Sequence, residues 1–313
     1  MDRKLTILKQ ILGNYNRTGD EHLFSCPQCR HHKRKLSVNV DKNVFKCWVC
    51  DYSGRSLRRL VRKHGTFKLR QEWDELDGRV DISRFDELFS TEVEEEVEQV
   101  VSLPAKFVSL ANKNQPHAAR IPLKYLQERG VTRSDILRWK IGYCTSGQYS
   151  DRVVVPSFGL TGRPNYFVAR SYKGNWKKYM NPPASRDIIF NELYLDFDED
   201  LVIVEGIFDA IIAGPNAVPI LGSNLSERST LFQEIVKNDT PIYIALDPDA
   251  EKKALRLIEN LLEYGIELHK VSISPYSDVG EMTKEEFQKR KAKSTFLNSE
   301  NYLLYRVTNM AKL

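Results

Sequence analysis

Two Cys-x-x-Cys pairs, Cys26–Cys29 and Cys47–Cys50, stand 17 residues apart and constrain the N-terminal part of this chain more than any other feature. Each pair turns the backbone so that both sulfurs face one point, and four thiolates at this separation suit a tetrahedral zinc ion. Between the pairs, Leu36, Val38 and Val40, then Val44 and Phe45, predict a hairpin that turns at Asp41, Lys42 and Asn43. So short a segment has little core of its own, and metal binding is expected to fold it. Cys144 stands alone, so the cysteine pattern does not fit a secreted disulfide framework.

A closed site of four cysteines is usually a staple without chemistry, so function depends on the surface it supports. Residues 26–70 hold 13 Lys or Arg against two acids. Lys33, Arg34 and Lys35 lie between the knuckles, and Arg58, Arg59, Arg62 and Lys63 lie on a basic helix predicted over Arg55–His64, with Gly65 as its C′ residue. Phe24, Phe45, Trp48 and Tyr52 are interspersed, Phe45 being the core candidate. Cations pair with phosphates and exposed aromatics stack on unpaired bases, so single-stranded nucleic acid is the expected partner of Lys33, Arg34, Lys35 and Trp48. His31 and His32 are expected at the surface, because the cysteines already complete the coordination.

The net charge of +5 conceals an uneven distribution: +12 over residues 1–70, −10 over 71–100 and +3 over the remainder. The acidic stretch, which includes Glu94, Glu95 and Glu96, reads as a solvated linker. The expected organisation is a head over 1–70, an acidic linker over 71–115, a basic α+β subdomain over 116–200, an α/β domain over 201–282 and a helical tail over 283–313. No run of residues approaches the ~18–20 apolar positions of a membrane span, and the first ten residues are too polar for a secretory leader. A soluble, cytoplasmic protein with no membrane partner is expected.

The body carries a second constellation. Helices are predicted over Leu123–Arg129 and Arg133–Lys140, the latter with Thr132 as N-cap and Asp135 at the capping-box position. From Leu201 onward, apolar strands alternate with helices, which argues for a parallel sheet covered by helices. The strand Leu201–Val204 runs directly into Glu205-Gly206, with Asp209 one helical turn later. The strand Ile242–Leu246 ends in Asp247-Pro248-Asp249, and a third strand is followed by Asp278. Ligands gather at the carboxyl ends of parallel strands, and magnesium takes carboxylates together with substrate phosphates. Acids at strand ends also cap the following helices, a reading that competes for Asp249.

Val204–Ala210, with Glu205 and Asp209, resembles the first motif of the TOPRIM domain shared by primases and topoisomerases. Asp247-Pro248-Asp249 resembles its Asp-x-Asp motif. Ser277–Glu281 is similar to its late acidic motif, where the family often has a second aspartate at the position of Gly280, with Glu281 as a substitute acid here. The preceding block, Arg152–Pro156, Gly159–Gly162, Phe167–Arg170 and Lys178–Pro182, resembles the basic half of the RNA-polymerase core of DnaG-type and bacteriophage DNA primases. Tyr125–Val131 and Ile141–Tyr143 resemble the same family. Four cysteines in the head are more like the phage pattern than the one histidine and three cysteines typical of bacteria.

The resemblance implies an α/β multidomain chain, with a zinc ribbon, a basic α+β subdomain and a TOPRIM domain. It implies Mg²⁺ or Mn²⁺ on Glu205, Asp247 and Asp249, supported by Asp209 and Asp278. Arg152, Arg170, Lys178 and Asn181 would contact nucleotide or template phosphate. Ribonucleoside triphosphates and a single-stranded DNA template are the implied substrates. A replicative helicase would act in trans, since no G-x-x-x-x-G-K-[ST] loop occurs in the sequence. The rival readings are a non-catalytic DNA-binding protein like the recombination mediators, which lack the Arg152–Pro182 block, and a TOPRIM nuclease.

Overall fold

The computed structural model describes residues 3–77, 98–174, 177–222, 225–247 and 250–310. The chain divides into two units, Met1–Glu95 and Glu96–Leu313. In the first, α1 (Arg3–Leu12) precedes five short strands: β1 (Asn16–Thr18), β2 (Glu21–Phe24), β3 (Leu36–Asn39), β4 (Val44–Cys47) and β5 (Ser53–Gly54). They form one antiparallel sheet in sequence order. The predicted hairpin is β3–β4, with Val38 opposite Phe45 and Leu36 opposite Cys47.

Two helices follow, α2 (Leu57–His64) and α3 (Phe67–Leu76), and their apolar faces complete the core. Leu5, Leu8, Phe24, Leu36, Phe45, Leu57, Leu60 and Trp73 are all buried in one cluster. The head therefore has more core than its knuckles alone promised. Gly65 corrects an expectation: its φ is −86°, so it is not a left-handed C′ residue. Its lack of a side chain serves close packing, since a Cβ there would stand 2.5 Å from the Val61 carbonyl oxygen and 3.1 Å from Ile11.

The linker expectation over 71–115 is corrected at both described ends. Residues 71–76 belong to α3, where Trp73 is buried and Asp74 pairs with Arg58 at 2.6 Å. Residues 101–109 belong to the second unit: Val101, Leu103 and Phe107 pack on its first sheet, and β6 (Val108–Ser109) joins that sheet. The acidic run Glu94–Glu96 lies outside the described residues.

The first sheet of the second unit runs in the order β6, β7 (Gly142–Cys144), β8 (Arg152–Phe158), β9 (Pro164–Ser171). Alternation along β8 and β9 feeds two cores. Val153, Val155, Tyr166 and Val168 face the main one, while Val154, Phe167, Ala169 and Cys144 face the layer supplied by residues 101–107. Burial pushes the Cys144 thiol up to about 11, so it is an inert core group. Before β7 lie α4 (Arg120–Glu128) and α5 (Arg133–Arg138). The capping box on α5 is present, with Asp135 Oδ2 accepting the Thr132 N–H at 2.8 Å.

The second sheet comprises β10 (Leu201–Val204), β11 (Ala217–Pro219), β12 (Ile242–Ala245), β13 (Leu268–Lys270) and β14 (Thr295–Leu297) in the order β11-β10-β12-β13-β14. The first four run parallel and β14 runs antiparallel to β13. Connecting helices are α6 (Ile207–Ala213), α7 (Thr230–Asn238), α8 (Glu251–Glu263) and α9 (Lys284–Ala292), and α10 (Ser299–Met310) closes the described chain. The segment expected as a helical tail thus also contributes an edge strand, and its Phe287, Leu297 and Tyr302 enter the main core. That core is continuous across both subdomains of this unit. Lys284 pairs with Asp135 and Arg138 donates to the Pro215 carbonyl at 3.0 Å. Among the described residues, no helix is long and apolar enough to cross a membrane.

Candidate active site and metal centre

The four knuckle cysteines come together in the head, with all ligand sulfurs within 4.8 Å of one another. Cys26 and Cys50 are 3.8 Å apart, as are Cys29 and Cys47. A tetrahedron with zinc–sulfur bonds of ~2.3 Å has an edge of about 3.8 Å, so the observed spacing fits the group that the donor set suggests. Burial pushes the Cys26 thiol up to about 12. Cys47 is held down to about 7, its burial being outweighed by the backbone N–H groups of Cys50 and Val49 and by the neighbouring thiols.

Around this centre, Lys33 and Lys35 are exposed, while Arg34 is half-buried and donates to Asn16. Trp48, at the second knuckle, is 65% exposed. The Lys46 ammonium sits 5.3 Å from the centroid of its ring, a contact the sequence did not single out. Phe24 and Phe45 are core residues, and Tyr52 packs edge-on to His64. The head therefore presents Lys33, Lys35, Lys46 and Trp48 outward.

In the body, β10 and β12 are adjacent, yet their following helices lead to opposite sides: α6 to β11 and α8 to β13. The crevice between two such strands is the topological switch point where open α/β sheets bind ligands. Glu205 and Asp247 stand at the carboxyl ends of these two strands. Both are half-buried, and Glu205 Oε2 is buried with no hydrogen-bond partner among the described residues. A buried carboxylate oxygen lacking a donor is costly unless a cation completes it, so the crevice fits a divalent ion. Asp249 lies outside the described residues.

Asp209 and Asp278 border the same crevice. Asp209 Oδ2 accepts the Gly206 N–H and Oδ1 the Gly280 N–H, both at 2.8 Å. Burial raises its carboxyl to about 6, and the charges of Asp278 and Glu205 push the same way against those two N–H donors. Asp278 is half-buried. Glu281, the substitute acid, is exposed and turns back to accept the Ser277 N–H at 3.0 Å. It does not join the cluster.

The cations divide into presented and internal ones. Residues 178–180 extend the edge of β9, the Lys178 carbonyl accepting the Ser171 N–H and the Met180 N–H donating to Ala169. This exposes the Lys178 side chain and lays the Tyr179 ring 4.6 Å from the Arg170 guanidinium. The Tyr179 hydroxyl is raised by burial, and Asp209 is among the charges acting on it, so this pair borders the acids. Arg129 caps the rings of Tyr125 and Phe208 at 5.1 and 4.8 Å. Arg129, Tyr125 and Tyr179 fell within the quoted motifs, but the sequence offered no signal for their stacking. Asn181 is half-buried, and its Oδ1 has no partner among the described residues.

Arg152 corrects an expectation. It is only 5% exposed, and its guanidinium donates to the carbonyls of Ser150 and Lys177 at 3.0 and 2.9 Å. It anchors the loop that leads to Lys178 rather than offering a cation to phosphate. Arg152→Met is expected to strand two carbonyls and cost about 1–3 kcal/mol of stability, measured as a lower denaturant midpoint. An unchanged midpoint accompanied by weaker template binding would restore the contact role.

No family model matches the chain. A DNA primase of Thermotoga maritima is 22% identical over 347 residues, covering 94% of this chain and 60% of that protein. The Aquifex aeolicus DNA primase is 24% identical over 315 residues, covering 87% and 62%. The chain thus spans about six-tenths of the length of these relatives. Among solved structures, a DnaG primase catalytic domain bound to single-stranded DNA is similar with a TM-score of 0.52 at 18% identity, over 62% of this chain and 77% of that one. A DnaG catalytic core gives 0.51 at 19% identity, over 63% and 79%. These likenesses agree with the resemblance to DnaG-type primases carried by the sequence motifs, and the fold class is α/β with a four-cysteine ribbon.

Proposed function

We propose that this chain, similar over most of its length to bacterial DNA primases, is a DNA-dependent RNA primase. The observation that carries the reading is the switch-point crevice. Acids that follow adjacent parallel strands, with Asp209 and Asp278 beside them, border the Arg170–Tyr179 pair, and the exposed Lys178 is its neighbour in the chain. Nucleotidyl transfer needs both kinds of charge: cations for template and triphosphate, acids for metal. The 3′-hydroxyl of one ribonucleotide attacks the α-phosphorus of the next. The new P–O bond forms as the α–β phosphoanhydride bond breaks, pyrophosphate leaves and the hydroxyl proton passes to solvent.

Mg²⁺ or Mn²⁺ on Glu205, Asp247 and Asp249 would supply charge stabilisation at the attacking and leaving oxygens. Arg170 and Lys178 would hold nucleotide and template phosphates, with Asn181 offering an amide nearby. In the head, a zinc ion on Cys26, Cys29, Cys47 and Cys50 is structural. Lys33, Arg34, Lys35 and Trp48 would bind single-stranded DNA. A separate replicative helicase in a bacterial or phage-infected cytoplasm completes the reading.

The test supplies single-stranded DNA, ribonucleoside triphosphates and Mg²⁺ or Mn²⁺ and looks for short RNA. Well-folded protein that yields none across metals and templates defeats the proposal. Trp48→Ala separates the head's part: base stacking contributes about 1–3 kcal/mol, so template affinity should fall roughly tenfold in a binding titration. Equal affinity would move template binding away from the knuckle.

A further inference from the structure

We infer that Asp209 is a positioning residue, a carboxylate bracket that joins the backbone beside Glu205 to the backbone beside Asp278, rather than a ligand of the divalent ion. The inference rests on the reading of the crevice as a divalent-cation site. Asp209 is 7% exposed, and each of its oxygens accepts a backbone N–H. One donor, Gly206, directly follows Glu205, and the other, Gly280, lies two residues after Asp278. The two acids sit on segments more than seventy residues apart in sequence, and Asp209 bonds to both segments.

The glycines show how closely this bracket is drawn. A Cβ at position 206 would lie 2.9 Å from Asp209 Oδ2. A Cβ at 280 would lie 3.0 Å from Asp209 Oδ1 and 3.2 Å from Asp278 Oδ1. Both backbones can approach the carboxylate because neither carries a side chain. The N–H groups themselves belong to helix starts, that of α6 and that of the 3₁₀ turn Val279–Glu281, where unsatisfied donors favour an anion. That explains how a third carboxylate persists beside two others in a buried position. Displacing Gly206 or Gly280 moves Glu205 or Asp278, so the bracket acts on metal binding through the spacing of those acids.

The experiment titrates Mn²⁺ into the full chain, following the free-ion electron paramagnetic resonance signal, and compares wild type, Asp209→Asn, Gly280→Ala, the double variant and Asp247→Ala. Asp209→Asn replaces one accepting oxygen with an amide, and the Cβ of Gly280→Ala presses on Asp209 Oδ1 and Asp278 Oδ1 at 3.0 and 3.2 Å, so each should weaken Mn²⁺ affinity by about tenfold with the number of bound ions unchanged. RNA synthesis by both should recover at higher Mn²⁺. The double variant should be no worse than the poorer single one, because both changes break the same bracket. Asp247→Ala should instead reduce the number of bound ions without recovery.

Loss of a bound ion in Asp209→Asn, or wild-type affinity in Gly280→Ala, would overturn the inference. If Asp209→Asn fails to fold, Gly280→Ala, which removes no possible ligand, carries the decision. Wild type that binds Mn²⁺ yet makes no RNA counts against the polymerase reading alone. Wild type that binds no Mn²⁺ overturns both.

Discussion

Removing the metal from the head, by chelation or by Cys47→Ser, should unfold the strands β2 to β5 while the body keeps its melting transition. Cys26 and Cys47 are not appended to a finished core; they are buried members of it, alongside Phe24, Leu36 and Phe45. The strands are two to four residues long, and the helices packed on them have eight to ten residues, too few to be stable alone in water. Structural zinc contributes about 10–16 kcal/mol in isolated modules, comparable to the ~5–15 kcal/mol that stabilises a whole domain. Amide exchange over residues 21–54 should therefore rise to nearly unprotected rates, with Trp73 becoming solvent-accessible. Metal-free protein that keeps its protection would show that the helices suffice and that the metal is dispensable to the fold.

Asp247→Ala should abolish primer synthesis, by at least about 10²–10³-fold, the loss typical when one preorganised group that stabilises transition-state charge is removed. Asp247 lies two residues past the end of β12, where Ala245 pairs with Val204, the residue before Glu205, so its loss leaves one side of the crevice without its acid. Binding of single-stranded DNA should stay within about twofold if the head supplies most of the phosphate contacts. The two readouts together separate chemistry from affinity. Synthesis that persists in Asp247→Ala would remove the crevice from the mechanism, whatever the head does.

The parts legible in the sequence are those where local pattern and burial agree. Leu201–Val204 is a run of apolar residues ending at an acid, and it is a strand with those bounds because both faces are covered. The helix Ile207–Ala213 follows directly on Gly206, all of its residues buried. The knuckles announced themselves by spacing alone. Less legible were β5, β6 and β14, each two or three residues long, which exist by pairing with neighbours rather than by alternation. Trp73 was hidden among Glu72, Asp74, Glu75 and Asp77, although Leu69, Trp73 and Leu76 repeat at helical spacing. Arg152 precedes a valine run and reads as a surface cation. Its partners, the carbonyls of Ser150 and Lys177, are fixed only by tertiary structure. Asp209 looked like one more acid of a motif until Gly280 arrived from a distant segment to share it.

The unbroken core that joins the two sheets of the body, pinned by Lys284 with Asp135 and by Arg138 on the Pro215 carbonyl, has a mechanical meaning. Because the two sheets share one interior, a cavity opened under either is expected to disturb the acidic and the basic wall together, since close-packed cores transmit strain.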